Sequence, residues 1–344
     1  MSFKLSFLQH RITGVYMDNV KIAVDAMGGD NAPFEIVKGA VEAVNEFGSN
    51  IILVGPEKTI NEELEKYTFD KNKISVVNAT EVISTEESPT MAIRRKKDSS
   101  IVVGLNLVKN SEANAFVSAG STGAVLTGGT FIVGRIKGIE RPALGTCLPT
   151  TEGFTFLLDS GANVDCKSSY LLQFAKMASV YVEYVMGVKN PSVGLLNIGA
   201  EKEKGNALTK ETYELLEESG LNFTGNIEPR DVPFHKADIV VCDGFAGNTV
   251  LKFAEGLSSA LFGIIKEEIT QGLYKIPAAM LMKPFKNLKT RFDSEEVGGA
   301  PFLGLKSLVV KAHGSSKAKG IKNAIKQCEI FVENDIVLKI EEKL

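Results

Sequence analysis

The chain has 344 residues, 44% of them hydrophobic, with 39 Lys and Arg against 42 Asp and Glu for a formal net charge of -3. That length and apolar share suit about two domains or subdomains with full cores and exclude a disordered chain, while the lack of a basic excess excludes a general nucleic-acid surface. Four scattered cysteines, Cys147, Cys166, Cys242 and Cys328, make no CxxC pair, which gives neither a zinc site nor a disulfide framework and fits a reducing cytoplasm.

Residues 1–16 alternate charged and apolar positions without a signal-peptide core and read as an N-terminal extension ahead of Met17. No apolar run approaches the ~18 residues of a membrane span. From Lys21 the chain repeats one event, an apolar run ending in Gly, Ser, Asn or Asp and then a helical stretch, the rhythm of a mostly parallel sheet. KIAVDAMGGDNAP (Lys21 to Pro33) is a strand, a turn and a helix start in which Asp30 or Asn31 can cap and Pro33 sits in the first turn. IILVG (Ile51 to Gly55) and ISVVNA (Ile74 to Ala79) are short strands flanking a charged helix around Asn61 to Tyr67. TMAIRRKKDSSI sets Arg94, Arg95, Lys96 and Lys97 in one helix, where four neighbours cannot share a face, so some should turn toward a site and some toward solvent. ANAFVSAGSTGAVLTGG (Ala113 to Gly129) is a strand, a Gly-Ser-Thr-Gly turn and a helix. RPALGTCLPT and FTFLLDSGAN (Phe154 to Asn163) read as a hairpin that makes the sheet mixed.

VGLLNIGAEKEKGN (Val193 to Asn206) is a buried strand breaking into a loop with Lys202 and Lys204. Strand carboxyl ends are where open α/β sheets bind ligands, yet Glu201 and Glu203 make a solvated charge run an equal alternative. DIVVCDGFAGN puts Asp243 and Asn248 beyond the next buried strand; SLVVKAHGSS puts His313, Ser315 and Ser316 beyond the last, ahead of a helix bearing Asn323. Gln271 to Asp293 breaks the rhythm: Leu273, Met280, Leu281 and Phe285 interleave with Lys283 and Lys286, while Pro277 and Pro284 interrupt any long helix. It reads either as a membrane or acidic-partner surface or as a helical hairpin with snorkelling lysines.

Neither GSTG nor DAMGGD matches a nucleotide-binding fingerprint. A small anion held by backbone amides, with Ser118, Ser121 and Thr122 as side-chain donors, remains, against glycines that merely allow close packing. His313 is a general acid or base, or a structural hydrogen-bonding residue. Cys242, beside Val240 and Val241, reads as an inert strand thiol rather than an acyl-accepting nucleophile.

In order, VDAMGGDNAP, MAIRRKKDSS, SAGSTGA, GRIKGIERPAL, LDSGAN, VGLLNIGAEKEKGN, VVCDGFAGN, GGAPFLGL and HGSSKAKGIKNAI resemble the phosphate acyltransferase family from about Lys21 to Ile325. Ser121 departs from the asparagine common there. The resemblance implies a three-layer α/β/α sandwich of the isopropylmalate-dehydrogenase-like and phosphotransacetylase-like kind. It also implies, over residues 17–344, one catalytic unit of two intertwined α/β subdomains with a protruding amphipathic helical region at about 256–293.

The activity implied is transfer of a fatty acyl group from acyl carrier protein to inorganic phosphate, giving acyl phosphate for phospholipid synthesis. No metal or organic cofactor is implied. The partners implied are acyl carrier protein, inorganic phosphate, a second copy in a homodimer, a downstream glycerol-3-phosphate acyltransferase and the inner face of the cell membrane, to which a cytoplasmic protein attaches peripherally. Lys202, Lys204, Asn248 and His313 are the catalytic candidates. The phosphate and substrate candidates are Asp25, Gly28, Gly29, Arg94, Lys97, Ser118, Gly120, Ser121, Thr122, Gly123, Asn163, Asn206, Asp243, Ser315 and Asn323. Leu273, Met280, Leu281, Phe285, Lys283 and Lys286 are the docking candidates. A dehydrogenase of related fold and a noncatalytic scaffold for the carrier protein are the alternatives.

Overall fold

The computed structural model describes residues 20–271, 275–292 and 294–344, so the expected extension and Leu273 lie outside the described residues. The first part of the chain runs β1 (Lys21–Asp25), α1 (Phe34–Phe47), β2 (Asn50–Gly55), α2 (Glu57–Leu64), β3 (Ile74–Asn78), α3 (Pro89–Arg95), α4 (Ser100–Lys109), β4 (Ala115–Ser118) and α5 (Thr122–Gly128). A second run follows with β5 (Ala143–Pro149), β6 (Phe154–Leu158), α6 (Ser168–Tyr184), β7 (Val193–Leu196), α7 (Ala207–Glu217), β8 (Phe223–Ile227) and β9 (Ile239–Val241). The chain closes with α8 (Gly244–Ile269), α9 (Lys275–Arg291), α10 (Ser294–Val297), β10 (Gly299–Leu303), β11 (Leu308–Ala312), α11 (Ala318–Glu333) and α12 (Ile336–Lys343).

The strands form one sheet in the order β3-β2-β1-β4-β11-β10-β5-β6-β9-β7-β8. Two parallel wings, β3-β2-β1-β4-β11 and β6-β9-β7-β8, meet through β10 and β5, which pair antiparallel with each other and with β11 and β6. Helices cover both faces, which is why the central strands are apolar throughout. Ile22 and Val24 pack into the core with Ile36 of α1 and Ile321 of α11, while Ala23 between them faces Ile101 and Leu105 of α4. Burying each such large side chain contributes roughly 1.5–3 kcal/mol. The mixed, mostly parallel α/β sheet and the β5-β6 hairpin agree with the expectation from sequence.

Three local expectations are corrected. Pro33 is the cap residue of α1 and no side chain caps it; Asn31 instead donates to the Ser315 carbonyl at 3.0 Å, a bond across the chain that outcompetes a local cap. The basic run does not occupy one helix: α3 ends at Arg95 and Ser99 caps α4, accepting from the Val102 amide. The prolines do not break α9, which runs through Pro284; Pro277 stands in its first turn, where backbone amides have no intrahelical partner anyway. No helix among the described residues is long and apolar enough to cross a membrane.

Candidate active site

The carboxyl ends of β1, β4 and β11, neighbours in the sheet, form a polar floor under a glycine cradle. Asp25 ends β1 and is buried. Its carboxylate accepts from Ser118 Oγ at 2.7 Å and from the Met27 amide at 3.1 Å. Ser118 Oγ in turn accepts from the Gly120 amide at 3.0 Å, which fixes the turn after β4. Gly28 must be glycine: a Cβ there would lie 2.4 Å from Asp25 Oδ2 and 2.6 Å from the Gly120 nitrogen. Gly29 has φ +92°, in the left-handed region, and a Cβ would lie 2.8 Å from the Gly314 oxygen. The Asp30 amide donates to that same oxygen at 2.8 Å, joining the turn after β1 to the one after β11.

Lys311, aligned with Ser118 in the β11-β4 register, is 8% exposed. Its ammonium donates to the Ala119 carbonyl at 3.2 Å and to the Ala312 carbonyl. Burial pulls its pKa down to about 8, against the pull of Asp25 and Asp30. Burial pushes the Asp25 carboxyl above the usual range, opposed by the Ser100 and Ser118 hydroxyls, the Met27 amide and Lys311.

His313 follows at the rim. Lys252 Nζ stands 3.4 Å from its Nε2, and Ser315 Oγ 2.8 Å from its Nδ1. The Ser315 amide also donates to Nδ1 at 3.3 Å, so a donor faces each ring nitrogen. Desolvation and then the Lys252 charge lower the imidazole pKa, keeping the ring neutral at pH 7.

The first turns of α8 carry the site across to the second wing. Asp243 caps α8, accepting from the Ala246 amide at 2.9 Å. Gly244 and Gly247 lie against Asn163 and Asp159 of the loop after β6, and Asn248 stands beside Gly161. Asp159 organises that loop: its buried carboxylate accepts from the amides of Leu144, Gly161, Ala162 and Asn163 and from Asn163 Nδ2. Asn163 also donates to the Pro142 carbonyl at 2.8 Å. Its side chain therefore holds the loop. Cys242 is buried, 3.6 Å from the Asp159 carbonyl, and burial raises its pKa far above that of a reactive thiol.

The remaining candidates have identifiable partners or stand apart. Lys202 binds Glu217 of α7 at 2.6 Å and lies over the Tyr213 ring, and this pairing raises its pKa. Asn206 caps α7, and Asn226 anchors the loop through the Glu201 carbonyl, so the loop after β7 packs on α7 and β8 rather than on the floor. Lys204 is exposed, and its ammonium has no partner among the described residues. Ser121 caps α5 through the Ala124 amide, Thr122 opens that helix, and Gly123 packs near Pro89. Asn323 donates to the carbonyl of Glu295 at 2.8 Å, joining α11 to α10. Lys96 pairs with Glu87, Lys97 donates to the Ile93 carbonyl, and Arg94 and Arg95 point to solvent. The structure thus joins Asp25, Gly28, Ser118 and Gly120 directly, ties Gly29, His313 and Ser315 to them through the Asp30–Gly314 and Asn31–Ser315 bonds, links Asn163, Asp243 and Asn248 through α8, and leaves Lys202, Asn206, Arg94, Lys97 and Asn323 on other contacts.

Lys311 and Lys252 are additions to the candidates named from sequence. The signal for Lys311 was a lone charge inside SLVVKA; Lys252 follows Asn248 by four residues, one helical turn on the same face.

A family model described as fatty acid synthesis protein matches residues 20–339. A phosphate acyltransferase of Clostridium novyi (strain NT) is 52% identical over 324 residues, covering 94% of this chain and 98% of its own. One from Clostridium botulinum is 54% identical over 327 residues, covering 94% and 97%. Among solved structures, a phosphotransacetylase from Streptococcus pyogenes superposes with a TM-score of 0.64 at 18% identity over 96% of this chain and 99% of that one. A branched-chain phosphotransacylase from Enterococcus faecalis V583 gives 0.55 at 15% identity, over 91% and 99%. These two likenesses speak for the fold.

Proposed function

Because the chain belongs to the fatty acid synthesis protein family, whose curated relatives are phosphate acyltransferases, we propose that it transfers a fatty acyl group from the thioester of acyl carrier protein to inorganic phosphate. The product, acyl phosphate, is an activated acyl donor that feeds phospholipid synthesis. The observation that carries this reading is identity of 52–54% to phosphate acyltransferases across 94% of the chain.

The geometry is suited to the chemistry. Phosphate is already an anionic nucleophile, so no serine needs activation and no triad is required. The enzyme's task is to hold an anion beside a carbonyl and to offset the second negative charge that forms on attack. A phosphate oxygen forms a bond to the thioester carbon, the carbonyl becomes an oxyanion, the C–S bond breaks, and the pantetheine thiolate leaves and takes a proton from solvent. Phosphate sits on the amides of Ser121 to Gly123 over the floor, since the Gly120 amide is held by Ser118. His313, neutral and held between Lys252 and Ser315, orients the nucleophile rather than serving as an acid. Lys204, whose ammonium has no partner among the described residues, is better suited to the oxyanion than Lys202, which must first leave Glu217.

Docking follows from two exposed surfaces. Arg94, Arg95 and Lys97 form a basic patch for the acidic carrier protein, setting on-rate and salt sensitivity more than chemistry. Beyond Val250 and Leu251, which pack partly on the core, α8 carries Phe253, Leu257, Leu261 and Ile264 at helical spacing on its exposed surface. α9 adds Met280 and Leu281, with Lys283 and Lys286 beside them, and Phe262 meets Phe292 edge-on at 5.7 Å to hold the two helices together. An apolar stripe flanked by lysines suits peripheral attachment to an anionic bilayer. Assembly as a homodimer, and delivery of product to a glycerol-3-phosphate acyltransferase at the membrane, complete the proposal.

The test is direct. Protein, acyl carrier thioester and phosphate are mixed and the product is trapped with hydroxylamine; hydroxamate should form only when phosphate is present. Carrier binding without product would favour a scaffold, and NAD(P) binding in a fluorescence titration would favour a dehydrogenase of related fold.

A further inference from the structure

Buried lysines are rare because an ammonium taken from water needs a counter-charge or a full set of acceptors. Lys311 has two carbonyl acceptors, those of Ala119 and Ala312, for three N–H donors. No carboxylate among the described residues is within ion-pair distance. The negative groups that face it, Asp25 from β1 and Asp30 from the turn after it, act only through the field, and Asp25 is engaged by the Ser118 hydroxyl and the Met27 amide. From the other side it faces Lys252 of α8, exposed and paired with Glu255, and the neutral His313. One donor and most of a positive charge are therefore left at the point where the turns after β1, β4 and β11 meet.

The position fits an anion. The acceptor carbonyl of Ala119 directly precedes the Gly120 to Gly123 turn, and it lies 3.4 Å from where a Gly29 Cβ would stand, so the ammonium borders the glycine cradle. Both turns are held by hydrogen bonds that do not involve substrate, through Ser118 to Gly120 and Asp30 to Gly314. The cation is thus fixed before anything binds, and an anion entering the cradle repays a desolvation cost already incurred in folding.

We propose that Lys311 is a phosphate-binding residue, the fixed cation at the floor of the cleft that meets the nucleophile. This rests on the acyl-transfer reading for the identity of the ligand. The residue works only while protonated. Below about 8 the ammonium is present; above it the lysine becomes neutral and the anion loses its partner. Above that value inorganic phosphate is already the dianion, so its own titration does not produce the loss.

The experiment measures inorganic phosphate binding to the full-length protein by calorimetry, and kcat and KM for phosphate across pH, in the wild type, Lys311→Met and Lys311→Arg. Loss of one charged hydrogen bond predicts a roughly 10- to 100-fold rise in Kd and KM for phosphate in Lys311→Met, with KM for the acyl thioester little changed. In the wild type, kcat/KM for phosphate should fall above about 8, and this limb should vanish in Lys311→Met and move to higher pH in Lys311→Arg. A purely structural lysine would leave phosphate affinity and the alkaline limb unchanged in a folded variant, and that result overturns the proposal. Should Lys311→Met not fold, the wild-type profile decides: phosphate binding that stays flat through this range overturns it too. Phosphate binding that depends on Lys311 without acyl phosphate formation would keep this assignment and remove the acyl-transfer reading; acyl phosphate formation with an unaltered KM in the variant would do the reverse.

Discussion

Two strand ends carry lysines toward the carboxyl edge of the sheet, and they differ in what surrounds them. At the end of β11, Lys311 is enclosed by the turns after β1 and β4, its position set by backbone carbonyls. Beyond β7, Lys202 and Lys204 ride a loop that packs on α7 and β8, and Lys202 is spent on an exposed carboxylate. A cation fixed in a desolvated floor acts on an anion strongly and without reorganisation, whereas one on a solvated loop must first give up water or a partner. On the proposed reading, anion binding belongs to the first wing and adjustable charge to the second.

The change expected to break this picture most severely is Gly28→Ala. Its methyl group would collide with Asp25 and the Gly120 backbone, and overpacking of this kind costs about 1–3 kcal/mol. Turnover should fall on the order of 10²-fold as the amides lose their aim, with a modest drop in melting temperature read in parallel. Lys204→Ala comes next, with a loss of roughly tenfold or more in kcat measured at saturating phosphate. Lys202→Ala should lower turnover only a few-fold. Glu217→Ala sharpens the point: if Lys202 must leave its partner to act, removing Glu217 should leave turnover equal or higher, and a matching loss in both variants would make the pair structural. Smaller still for chemistry is the double change Phe253→Asp and Leu257→Asp on α8, which should release the protein from anionic vesicles in flotation while turnover on a carrier-bound substrate in solution stays unchanged. Cys242→Ser should leave kcat within about twofold, since the thiol is buried and held far from its reactive form; loss of activity in a folded variant would revive a covalent acyl-enzyme.

Strand positions were legible in the sequence because both faces of this sheet are covered, so β1, β4, β7 and β9 appear as unbroken apolar runs with small polar residues at their ends. The glycines of DAMGGD and GSTG marked the cradle for the same reason. What could not be read was which polar groups are consumed by the fold. Asn206 and Asp243 look like site residues until each is found capping a helix, Asn163 until its amide is found on Asp159, and Asn31 until it is found bridging to Ser315. These partners are fixed by tertiary contacts that local pattern does not encode. Lys311 escaped notice for the opposite reason: a lysine within an apolar strand is a visible oddity, but its value comes from the turn after β4, whose Ala119 carbonyl it holds from 192 residues away in sequence.

The central claim is that phosphate is the nucleophile at this cleft. Phosphorus NMR of the wild-type protein with acyl carrier thioester and inorganic phosphate tests it most directly. The phosphate signal should diminish as an acyl phosphate resonance grows, in step with free carrier thiol and only when protein, thioester and phosphate are all present. Release of free thiol with the phosphate signal unchanged would mean that water, not phosphate, attacks the thioester, and would contradict the account.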